Sequence, residues 1–70
     1  MTESEASKVT KETTSFADFK KSLLAWARED SNRFGPANVA LLERSSSDLK
    51  ECYQNGLSLA GTAEAILSGL

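Results

Sequence analysis

The chain has one thiol, Cys52, and no histidine among its 70 residues. A thiol or hydroxyl acts as a nucleophile only with a base beside it and an orienting group behind that base. The commonest base is missing here. Cys52 also stands in helical phase with Val39, Leu42, Leu49 and Tyr53, a stripe on which a thiol serves as a small apolar side chain. The ten acidic residues are scattered. Glu29 and Asp30 adjoin, but neighbouring helical positions point apart. The four glycines, Gly35, Gly56, Gly61 and Gly69, lie too far apart to form a phosphate-cradling loop. Zinc sites, histidine-based acid–base chemistry and an internal disulfide framework are excluded. The expectation is a protein that is not an enzyme, with no cofactor and no metal.

Residues that do no chemistry still have to be positioned, and the length allows one small domain. Forty per cent hydrophobic and 26% charged residues place the chain among globular proteins. Eight Lys and Arg against ten Asp and Glu leave a net charge of −2, which argues against a dedicated nucleic-acid binder. The opening MTESEASKVTKETTS has early acids and no apolar core of a secretory signal. The longest weakly polar stretch, Leu57 to Leu70, is 14 residues with Glu64 inside it, too short and too charged to span a bilayer. With a lone thiol suited to a reducing compartment, the expected location is cytoplasmic, without membrane attachment.

Residues 1–14 contain only Met1 and Val9 as larger apolar residues, so they read as a disordered tail ahead of a helical domain at 15–70. Ser15 followed by Asp18 matches a variant of the capping box. Phe16, Phe19, Leu23 and Trp26 with Ala27 then recur at steps of three and four, predicting a helix over about 16–31. Gly35-Pro36 separates it from the next helix, with Pro36 suited to a first helical position. Val39, Leu42, Leu49 and Cys52 with Tyr53 keep one phase through Ser45-Ser46-Ser47, a run that suits caps better than helix interiors. Either one helix spans 37–54 or a break near 45–46 makes two; the unbroken phase favours one. Asn55-Gly56 is a turn, and Ser58 caps a last helix over 59–68. The predicted fold is all-α: a small three-helix bundle, four-helix if the serines divide the second, behind a disordered N-terminal tail. Its predicted core is Phe16, Phe19, Leu23, Trp26, Val39, Leu42, Leu49, Tyr53, Ile66 and Leu67.

Leu49 to Ile66 reads LKECYQNGLSLAGTAEAI. This resembles the second half of a prokaryotic helix-turn-helix, over about a quarter of the chain. Gly56 stands at the turn, Ser58 at the cap, and Ala63 and Ile66 at the small and apolar positions; Thr62 stands where the pattern has an aliphatic residue. The resemblance implies DNA binding through residues 49–67. Recognition helices read bases with Arg, Lys, Asn or Gln, and Leu59 to Leu70 has none of these. The same segment is instead apolar at more positions than so small a core can cover. Leu57, Leu59, Ala60, Ala63, Leu67 and Leu70 are therefore the candidate partner-binding residues, with Leu59 and Leu70 partly exposed and Ile66 buried. The favoured function is a small non-catalytic protein–protein interaction module that binds a protein partner or self-associates through its C-terminal helix. The alternative is a helix-turn-helix DNA-binding regulator.

Overall fold

The computed structural model describes residues 2–30 and 34–69. They form five helices, α1 (Glu3–Ala6), α2 (Phe16–Glu29), α3 (Pro36–Arg44), α4 (Ser46–Gln54) and α5 (Leu59–Leu67), and no strand among the described residues. The all-α bundle expected from the periodicity is what these elements build.

α2 begins where Ser15, in extended backbone, accepts a hydrogen bond from the Asp18 amide at 3.4 Å, filling one of the orphan donors of the first turn. Its buried face is Phe19, Leu23, Trp26 and Ala27. Gly35 takes φ 85° just before Pro36 starts α3, a left-handed conformation that a side chain would strain. The Arg28 guanidinium holds the Glu43 carboxylate at 2.9 Å and joins the end of α2 to α3 at the surface.

The stretch expected as one helix over 37–54 is two. Ser45 sits at φ −101°, ψ 41° between them. Its hydroxyl donates back to the Leu41 carbonyl at 2.7 Å and makes no forward cap on α4. A serine hydroxyl competing for nearby backbone is what makes the residue poor in helix interiors. Here it finishes α3, and no side-chain cap forms between Ser45 and the first turn of α4. Lys20 Nζ on α2 meets Ser46 Oγ at 2.8 Å and secures the start of α4.

α5 is the central element, packed against all four other helices. Gly56 turns the chain with φ 83°, and Ser58 caps α5 by accepting from the Gly61 amide at 3.1 Å. Phe19, Leu23, Trp26, Leu42, Leu49 and Ile66 are buried as predicted, and Phe16, Val39, Tyr53 and Leu67 pack half-buried around them. Ala6, Ala27, Phe34, Leu59 and Ala63 join the core beyond that prediction. Tyr53 meets both Phe16 and Phe19, with ring centroids at 5.5 and 5.0 Å.

Residues 2–14 depart from the expectation of a disordered tail. Thr2 and Glu5 form a reciprocal capping box on α1, with the Glu5 amide 3.2 Å from Thr2 Oγ1 and the Thr2 amide 3.3 Å from Glu5 Oε1. Ala6 is fully buried and Val9 packs against the core. The Val9 carbonyl accepts from the Leu59 amide at 3.0 Å. Lys11 Nζ donates to the Gln54 carbonyl at 2.9 Å. The Tyr53 hydroxyl donates to the Thr14 carbonyl at 2.6 Å. Composition alone misses this segment because its attachment runs mainly through backbone groups and one alanine.

Candidate functional site

Trp26 lies on the buried face of α2 near its end, and Phe34 follows just before the Gly35 turn. Their rings meet edge to face, centroids 5.0 Å apart and planes at 82°, a favoured quadrupolar arrangement. Asn38 in the first turn of α3 donates from Nδ2 to the Phe34 carbonyl at 2.6 Å, which fixes the aromatic pair relative to that helix. Beside the pair runs α5, where Ala60, Ala63, Glu64 and Leu67 lie one turn apart on one side. Between them is an open groove of about 390 Å³, with Glu3 of α1 completing its wall. A second open groove of about 310 Å³ lies between α4 and α5, lined by Asp48, Glu51, Cys52, Asn55, Leu57 and Ala65.

The candidate partner-binding residues divide between these places. Ala60 and Leu67 are half-buried and line the first groove with Ala63, which is itself buried. Leu57 is 37% exposed and lines the second. Leu59, expected to be partly exposed, is fully buried and lines neither. It occupies the first position of α5, where that helix turns into the core and the N-terminal segment bonds its amide. Leu70 lies outside the described residues. Leu59 thus lacks the expected partial exposure, and Ile66 is buried as expected. Phe34 and Asn38 were missed: in sequence Phe34 is part of the punctuation before Gly35-Pro36, with no periodic partner to mark it.

The groups available for chemistry are few. Cys52 is 3% exposed, and burial, followed by the nearby Glu51 and Asp48 carboxylates, pushes its thiol above the ordinary value. That keeps it protonated, the opposite of an activated thiolate. Among the described residues, no group of three or more His, Cys, Asp or Glu is placed to hold a metal ion. No helix among them is long and apolar enough to cross a membrane.

α4, the Gly56 turn and α5 do form a helix–turn–helix pair capped by Ser58. Thr62, at the aliphatic position of that pattern, is fully buried, and its hydroxyl has no hydrogen-bond partner among the described residues. The α5 positions with exposed surface are Ala60, Gly61, Glu64, Ala65 and Leu67, which supply neither a base-reading amide nor a phosphate-binding cation. No protein-family model matches the chain, and searches of curated proteins and of solved structures find no match.

Proposed function

We propose that this chain is a small non-catalytic protein–protein interaction module, cytoplasmic in location, that self-associates through α5 and the groove beside it. The carrying observation is the groove itself: an aromatic pair, Trp26 and Phe34, lies beside the small side chains Ala60 and Ala63 and the half-buried Leu67. Small residues let a second backbone approach closely, and Glu64 is the single charge on α5. A second copy is the occupant that suits this face, since a two-fold contact sets the small side chains of α5 against their own copies, with Glu3 and Glu64 the acidic residues of the groove. Size favours this reading, because a domain this short gains core by associating. A stable interface takes about 800 Å² from each partner, against 4245 Å² exposed by the chain. The contact must therefore run the length of α5 and extend beyond one groove.

Amide chemical shifts followed over a concentration series test this. The Ala60, Glu64 and Leu67 amides should move with concentration, while Ala17 and Lys21 on the outer side of α2 stay fixed. Movement of neither set would remove the reading. The helix–turn–helix pair of α4 and α5 favours a second reading, a DNA-binding regulator. Its mark would be duplex binding that weakens steeply with salt, whereas apolar self-association tolerates salt.

A further inference from the structure

Residues 2–14 are held by few contacts, and these converge on one place. Of their side chains only Ala6 is fully buried, with Val9, Thr10 and Thr14 half-buried. Among the described residues, three long-range hydrogen bonds from this segment reach the end of α4 or the start of α5. The Leu59 amide is one of the orphan donors at the start of α5, and the Val9 carbonyl satisfies it. The Gln54 carbonyl is an orphan acceptor in the last turn of α4, and the Lys11 ammonium meets it at the helix end that favours a cation. Tyr53, one residue earlier, bonds Thr14. At the other end of the segment, Glu3 supplies part of the groove wall. One stretch of chain thus bridges the α4–α5 turn and walls the candidate interaction surface.

Its apolar burial is small for the number of residues it orders. The Lys11–Gln54 bond lies at the exposed surface, and the helix-end groups that the segment caps can turn to water when it leaves. Elements with few buried contacts and exposed hydrogen bonds open at lower free energy than the helices they lie on. The geometry points to a strap: residues 2–14 open while the bundle stays folded, and opening removes a wall of the groove and frees the start of α5 for a second copy. This gating rests on the self-association reading; the opening itself does not.

Native-state amide hydrogen exchange on the full chain tests the opening. The Leu59 amide should exchange at least about tenfold faster than the Leu23 and Ala27 amides of α2, through an opening nearly insensitive to denaturant. Val9→Asp, which cannot pack, should speed Leu59 exchange by about another tenfold and leave Leu23 unchanged. Lys11→Met, which keeps the stem and loses the bond to Gln54, should act in the same direction more weakly. Equal protection of Leu59 and Leu23 in the unmodified chain would overturn the strap, as would either variant speeding both amides alike. Sedimentation of the same proteins separates the two ideas. Association strengthened by Val9→Asp supports the gate; association unchanged beside faster Leu59 exchange overturns it. A chain monomeric at every concentration removes the self-association reading and the gate with it, leaving the opening to stand or fall on exchange.

Discussion

Thr62 is a polar side chain sealed inside the bundle, and its hydroxyl has no partner among the described residues. Burying a hydroxyl without a hydrogen bond costs about 1–3 kcal/mol. Thr62→Val keeps the shape and removes the hydroxyl. It is expected to raise stability by about 1 kcal/mol, a rise in thermal midpoint of about 4–8 °C for a domain this size. A lower midpoint would mean that the hydroxyl is engaged. Two ionisable groups give pH dependences of different kinds. The Thr2 amide, then its hydroxyl, hold the Glu5 carboxyl below its ordinary value. The α1 cap is therefore fully present above the unfolded carboxylate value and is lost as pH falls through the lowered one. Cys52 is raised by burial, so its proton is held more tightly in the folded chain. Stability should fall as pH rises through and above the ordinary thiol range, and alkylation of Cys52 should be slow until the chain unfolds. Rapid alkylation of the native protein at neutral pH would contradict the buried thiol. Thr62 was visible in sequence only as an odd residue at an apolar position, because whether a hydroxyl finds a partner depends on the packing around it.

Among the elements, α2 and α5 were legible because each pairs a serine cap with apolar steps of three and four. The division of the second helix was half legible. The serine run marked it, but Leu42 and Leu49 stay in phase across the break, and phase alone could not show where the Ser45 hydroxyl would turn. α1 and its strap were not legible as attached structure, although Thr2 and Glu5 have capping-box spacing. Attachment through the carbonyls of Val9 and Thr14 leaves no mark in side-chain composition. Deletion of residues 2–14 tests that attachment. Losing the Ala6 and Val9 contacts and two helix-end caps should lower the thermal midpoint by several degrees while the helical circular dichroism of α2 to α5 persists. An unchanged midpoint would return the segment to solvated slack, and complete unfolding would make it part of the core.

For the whole molecule, the crowding of apolar residues near the C-terminus led to a surface argument that was half right in its residues. Leu59 turns inward because α5 lies at the centre of the bundle, leaving Ala60 and Leu67 accessible beside Trp26 and Phe34, and Leu57 in the other groove between α4 and α5. That groove needs residues from α1, α2, α3 and α5 together with Phe34, so no single helical stripe could have outlined it. The central claim is that this face joins two copies of the chain. Sedimentation equilibrium over a concentration series, on the unmodified protein and on Ala60→Glu, tests it most directly. Ala60 is half-buried at the groove beside Glu3 and Glu64, where a further glutamate suits the helix but adds like charge to a face that must meet its own copy. The unmodified chain should pass from one to two copies as concentration rises, and Ala60→Glu should remain a single copy with its helicity intact. A single copy throughout for the unmodified chain, or association untouched by Ala60→Glu, would contradict it.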